Sequence, residues 1–202
     1  VLEVGGIKRG TTWKVGLNGI NRDGDNLPDS NDSTRASLQG LKLNTWRTNG
    51  TYILICGQHD QSLQWQGMPS MSNWLIRTID DIRTYSERPI LFRPHPRCPL
   101  PNIEKEFKNV HRQQPRQLSG TYDDYDMGFN DIWATVSYSS NPGIHSIING
   151  VPAFGSYFVS GSQDHTLRLW DARTGNVIPN TSVVRQHINY FSGTHDRKSV
   201  PM

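Results

Sequence analysis

Continuous apolar runs, rather than alternating ones, mark the middle of the chain. Tyr52-Ile53-Leu54-Ile55-Cys56 ends at Gly57, Ile90-Leu91-Phe92 stops short of Pro94, and Ile132 to Ser137 runs into a Ser-Ser-Asn-Pro-Gly sequence. Runs of this kind suit strands covered on both faces, as in parallel sheets. Between the first two, Trp74, Leu75, Ile79, Ile82 and Tyr85 fall near one helical face, predicting a helix from Asn73 to Ser86 with Ser72 as N-cap. Pro101 to Val110 predicts a short helix and Val110 to Gln114 a further strand. Pro142 or Gly143 opens a helix that Gly150 closes, and Val151 to Phe154 is the next strand. The order is β-α-β-(α)-β-β-α-β. It argues for an α/β fold: a Rossmann-like, mainly parallel sheet with helices on its faces.

The flanks read differently. Residues 1–20 are glycine-rich, with Val1 to Val4 as a strand entering a Gly5-Gly6 turn. Residues 21–50 carry loop chemistry at a length that suggests a lid or an acceptor-side segment. Gly120 to Asn130 is acidic and aromatic. Its Asp123-Asp124-Tyr125-Asp126 run reads as solvated loop, with a ribose or metal contact as the alternative. Phe158 to Ile178 is β-rich, alternating through Thr166-Leu167-Arg168-Leu169-Trp170 to a turn at Ala172-Arg173-Thr174-Gly175. Pro179 to Met202 is polar without a period and is expected to be poorly ordered. The reading divides the chain into residues 1–155, a short β-hairpin-rich segment 156–178, and a tail 179–202.

Composition narrows this picture a little. The 202 residues carry a net charge of +3. Arg88 to Arg116 holds seven basic residues against two acidic ones, a net of +5. That block is either a solvated face or an anion-binding surface, and nucleic-acid binding through it is a third functional reading. Cys56 and Cys98 fit no metal or disulfide spacing, which points to a reducing intracellular compartment. No apolar run approaches 18 residues, so no membrane span is expected. The start at Val1 reads as a fragment.

The candidate chemistry lies where strands end. In Arg93-Pro94-His95-Pro96-Arg97 the prolines predict an extended segment, on which Arg93, His95 and Arg97 share one face as a phosphate-binding array. The alternative is that Arg93 pairs with a helix acid and His95 is a satisfied strand-end histidine. Ser139, Ser140 and Asn141 are each able to cap the following helix, and Gly143 permits close backbone approach. Amides at such a helix start favour an anion. His145 sits in the first turn of that helix. Gly57 and Gln58 leave the first strong strand, where glycine allows a ligand close, and the adjacent His59-Asp60 is a dyad only in sequence. No Walker motif, zinc spacing or nucleophile elbow is present.

The strand–Arg93-Pro94-His95-Pro96–strand–SSNPGIHSIINGVPAF pattern, over about residues 1–155, resembles the donor-binding half of GT-B type glycosyltransferases. It looks closest to those of bacterial viruses, and more distantly resembles capsule-sugar and teichoic-acid polymerising transferases. The resemblance implies a nucleotide-diphosphate sugar as donor substrate, with no tightly bound cofactor and no metal. It places Arg93, His95, Ser139, Ser140, Asn141 and Gly143 at the phosphates, with Gly57 and Gln58 nearby. Arg97 and His145 complete the candidate set. The catalytic base of such enzymes usually comes from the acceptor half and has no counterpart here. The acceptor is open, a glycan or a DNA base in a viral setting, and the compartment implied is cytoplasm, the host's if viral. Residues Phe158 to Ile178 resemble something else, part of one WD-repeat β-propeller blade, through Val159-Ser160-Gly161-Ser162, Asp164, Thr166 to Asp171 and Thr174-Gly175. About half a blade cannot close a ring. The switch near Gly155 reads as a chimera. The resemblance implies a second function, a non-catalytic interaction module that meets a protein partner through 156–178.

Overall fold

A computed structural model describes residues 2–4, 6–7, 11–15, 18, 37–118, 125–155, 157–161 and 167–171. The polar stretch before residue 37, the acidic pair Asp123-Asp124, the turn at 172–175 and the tail 179–202 lie outside the described residues.

Near the start, β1 (Leu2–Val4) pairs antiparallel with β2 (Trp13–Val15). The main sheet follows: β3 (Tyr52–Cys56), α1 (Met71–Arg83), β4 (Ile90–Arg93), β5 (Val110–Arg112), β6 (Ile132–Ser137), α2 (Asn141–Ile148) and β7 (Ala153–Phe154). The spatial order β5-β4-β3-β6-β7 is parallel throughout. Counted within the sheet this is 3-2-1-4-5, the order of Rossmann-like sheets, and it reverses between β3 and β6. The α/β expectation is met in that respect. A hairpin of β8 (Tyr157–Gly161) and β9 (Leu167–Asp171) stands beyond the sheet.

The continuous apolar runs do what parallel packing requires. Ile53, Ile55, Ile90 and Phe92 pack on one face against Leu75, Ile79 and Ile82 of α1. Leu54 and Cys56 face the other way, against Phe129, Ile132 and Val151. Each such buried aliphatic side chain contributes roughly 1.5–3 kcal/mol. Helix α1 starts two residues earlier than the apolar spacing suggests, because Ser70 rather than Ser72 is the cap, its Oγ accepting from the Asn73 N–H at 3.2 Å. At its other end Arg83 donates to the carbonyls of Ser86, Arg88, Lys108 and Asn109, pinning the lead-ins to β4 and β5. The helix expected over Pro101 to Val110 is a single 3-10 turn, Ile103–Glu106.

Helix α2 lies on the face opposite α1, since a Cβ at Gly143 would stand 2.8 Å from Ser137 Oγ, and Ser137 is paired with Cys56. It ends in a Schellman motif: Gly150 donates to Ile147 O and Val151 to Ser146 O, with Gly150 at φ +74°. The extended chain at 41–50 runs past this end. Asn44 N–H donates to Ile148 O, Arg47 N–H to Gly150 O and the Arg47 guanidinium to Phe129 O. The earlier loop thus includes a strap that ties the C-terminal end of α2 to the segment before β6. Among the described residues no helix is long and apolar enough to cross a membrane.

Candidate functional site

Strand order reverses between β3 and β6, and in open α/β sheets the loops leaving the carboxyl ends at such a point are where ligands bind. The first loop is Gly57-Gln58-His59, the second Tyr138-Ser139-Ser140. Gln58 joins them. Its Oε1 accepts from the Ser139 N–H at 3.2 Å and the Ser139 hydroxyl at 3.0 Å, and its Nε2 donates to Ser62 Oγ at 3.1 Å. Gln58 is buried, so these three hydrogen bonds form away from competing water.

Gly57 lies where the β3 and β4 loops meet: a Cβ there would stand 3.3 Å from the Phe92 ring and 3.4 Å from the Pro94 and His95 backbone, so the two loops are in direct contact. The imidazoles of His59 and His95 meet edge to face, with centroids 5.4 Å apart. Each Nδ1 accepts a backbone N–H two residues on, from Gln61 and Arg97 respectively, both at 3.1 Å. A neutral ring so held carries its proton on Nε2, which makes each a hydrogen-bond donor rather than a metal ligand at that nitrogen. Asp60 approaches His59 Nδ1 at 3.6 Å, but that nitrogen is already taken by Gln61.

The extended Arg93-His95-Arg97 array does not form. β4 ends at Arg93, and the chain turns at His95 to Cys98, with Cys98 N–H donating to His95 O at 3.0 Å. Pro96 holds the second position of this turn, where its fixed φ favours turning. Arg97 is consequently exposed, while Arg93 is buried. The Arg93 guanidinium donates to Gln113 Oε1 from Nε at 3.1 Å and from Nη2 at 2.6 Å, and from Nη2 to Gly128 O at 3.0 Å. Among the described residues its buried Nη1 has no hydrogen-bond partner.

At the start of α2, Ser140 occupies the N-cap position in extended conformation (φ −85°, ψ 152°), yet its side chain caps no amide. Among the described residues its buried Oγ has no hydrogen-bond partner. Asn141 packs against Gly6: a Cβ at Gly6 would overlap the Asn141 carboxamide. His145 Nε2 lies 2.7 Å from Gly6 O, and a carbonyl only accepts, so this nitrogen carries the proton. The chain at Gly6 therefore reaches the first turn of α2.

The structure thus brings Gly57, Gln58, His95, Ser139 and Ser140 onto one rim, with Asn141, Gly143 and His145 on the helix behind it. Arg97 stands on the turn, and Arg93 faces a different set of partners. Gly6, Gln113 and Gly128 escape sequence reasoning. The paired glycines at Gly5-Gly6 were the one available signal. Burial pushes the Cys56 thiol up to about 12, against the opposing pull of Arg93. Among the described residues no group of three or more His, Cys, Asp or Glu side chains is placed to hold a metal ion. No protein-family model, curated protein or solved structure matches the chain.

Proposed function

We propose that the crevice between the β3 and β6 loops binds the diphosphate of a nucleotide sugar. On this reading the chain is the donor-binding part of a GT-B type glycosyltransferase that passes the sugar to an acceptor, a glycan or a DNA base. One observation carries the proposal. Gln58 locks together the two loops at the point of strand-order reversal, beside a helix start whose N-cap hydroxyl, Ser140 Oγ, is buried without a partner. The α2 dipole and that hydroxyl favour a phosphate oxygen, and the imidazole N–H of His95 adds a donor on the β4 side. In transfer, these fixed donors would stabilise the charge that grows on the leaving diphosphate. The general base for the acceptor is not assigned to any residue of this chain.

The test is a thermal-shift and calorimetric titration with ADP, GDP, UDP and CDP and their sugar conjugates, on the intact chain and on Ser140→Ala. One nucleotide is expected to raise the melting temperature. The variant should weaken that nucleotide about tenfold, the worth of one hydrogen bond to a charged group. Its own melting point should hold, because Ser140 Oγ makes no hydrogen bond to lose. A cooperative melt that no nucleotide moves refutes the donor-site reading.

The β8–β9 hairpin favours a second reading. Its five antiparallel pairs, Tyr157↔Asp171 to Gly161↔Leu167, cover part of the segment that resembles a propeller blade. An interaction module would lose its protein partner on deletion of 156–202 and keep it in Ser140→Ala.

A further inference from the structure

The β3 and β4 loops are joined by contacts of two kinds. Gly57 N–H donates to Arg93 O at 2.9 Å, a backbone bond with nothing to titrate. Beyond it the His59 and His95 rings meet, with centroids 5.4 Å apart. Each ring is fixed through Nδ1, which accepts the N–H two residues on, from Gln61 and from Arg97, both at 3.1 Å. That acceptor exists only in the neutral imidazole. A proton on Nδ1 would face the amide proton across the same gap, so the turn would lose its hydrogen bond. Charge on both rings at this separation would also drive them apart. Protons reach the pair from solvent: the His59 side chain is 26% exposed and His95 is half-buried.

The surroundings single out His59. Asp60 Oδ1 stands 3.6 Å from its Nδ1 and is positioned to accept once that nitrogen is protonated. Asp60 also reaches across to the β4 loop, where its backbone N–H and its carboxylate both meet the Cys98 sulphur. That thiol stays neutral, pushed up first by burial. The remaining charge in the two loops is Arg97, exposed and two residues from His95, a like charge to any proton taken there. Trp65 and Tyr138, packed with Cys98, bring an indole and a phenol and no charge.

We propose that the His59–His95 contact is an acid-sensitive latch between the β3 and β4 loops, closed while both rings are neutral and released when His59 takes a proton on Nδ1, gives up the Gln61 N–H and donates to Asp60. The closed form requires neutral rings, so the latch holds at higher pH and opens as pH falls. Because His59 follows directly on Gln58, release frees the chain next to the clamp on Ser139. The Gly57–Arg93 bond stays, which confines the opening to the two turns. No ligand takes part, and the latch stands whether or not a nucleotide binds at α2.

The experiment is a nuclear magnetic resonance titration of the intact, isotopically labelled chain from about pH 8 to about pH 5, the range in which histidine changes charge. Ring ¹⁵N shifts of His59 and His95, the NOE between the two rings, and the amide protons of Gln61, Arg97 and Gly57 are followed together. Expected is protonation of His59 Nδ1, an upfield shift of the Gln61 amide and loss of the ring-to-ring NOE in one transition, with the Gly57 amide unmoved. In the double variant His59→Asn, His95→Asn each Oδ1 takes the place of Nδ1 as acceptor in an Asx-turn and does not titrate. Its Gln61 and Arg97 amides should keep their shifts throughout. Asp60→Asn should move the wild-type transition to lower pH, and an unmoved midpoint overturns Asp60 as the partner. Should the double variant fail to fold, the wild-type titration decides. Rings that remain neutral at the acid end, or a His59 that protonates while the Gln61 amide and the NOE stay as they were, overturn the latch. So does a double variant whose two amides still shift.

Discussion

Gln58 carries the sharpest prediction, because its structural and ligand-binding effects separate in two substitutions. Gln58→Ala removes the acceptor of the Ser139 N–H and hydroxyl and the donor to Ser62 in one step. The position is buried, so water does not readily replace those contacts. Leaving such groups unsatisfied costs about 1–3 kcal/mol. For a chain of this size about 2 kcal/mol lowers the melting temperature by roughly 4–8 °C. Gln58→Glu is different. A carboxylate still accepts both Ser139 protons, and the Ser62 hydroxyl is able to reverse and donate. Burying a carboxylate here costs stability at neutral pH and less where the group is protonated, so denaturation is followed as a function of pH. Where the carboxylate is ionised, diphosphate binding should also weaken, because a unit charge about 8 Å from another repels it by about 2 kcal/mol at an effective dielectric near 20. That corresponds to roughly thirtyfold weaker binding. Calorimetry for the ligand, chemical denaturation for stability and amide exchange at Ser139 form the assay. The clamp is refuted if Gln58→Ala melts like the wild type and the Ser139 amide exchanges no faster. A stable Gln58→Glu variant that binds nucleotide normally refutes the crevice as the anion site.

Two further outcomes follow from local geometry. Gly150→Ala places a side chain at φ +74° and its Cβ 2.2 Å from Thr45 O, so it should cost more than about 1 kcal/mol and loosen the strap at 44–47, read by denaturation and by amide exchange at Asn44 and Arg47. The Asp126 carboxyl is held below its ordinary value by Arg116 first and by the Gly128 N–H second. Its contribution is therefore present above the unfolded aspartate pKa, about 3.9, and is lost as pH falls through the lower folded value. Asp126→Asn should be less stable than wild type at pH 7, by a small amount for a pair this exposed, and the two denaturation curves should converge as pH drops below that window. A difference that stays constant to pH 2 would show that the carboxylate charge is not what matters.

What was legible in the sequence follows from what kind of contact each feature uses. β3, β4 and β6 are buried on both faces, so each needs several apolar residues in a row, and such runs are visible one at a time. The exit of α2 was legible for the same reason: Gly150 answers a purely local demand, a left-handed residue after the last turn. The Arg93 to Arg97 segment misled because its prolines satisfy two geometries. Pro94 does follow an extended strand, but Pro96 equally suits the second position of a turn, and the choice is made by Cys98 closing back on His95. The remaining site depends on contacts with no period at all. Gln58 meets Ser139 across 81 residues and His145 meets Gly6 across 139. Arg93 finds Gln113 and Gly128 only once β5 and the segment before β6 have been laid beside it. Polar contacts of this sort are created by the strand order, not by neighbours in the chain. The point of strand-order reversal was therefore foreseeable as a place, at the ends of strands that could be counted. The separation of Arg93 from the start of α2 required the register of three strands.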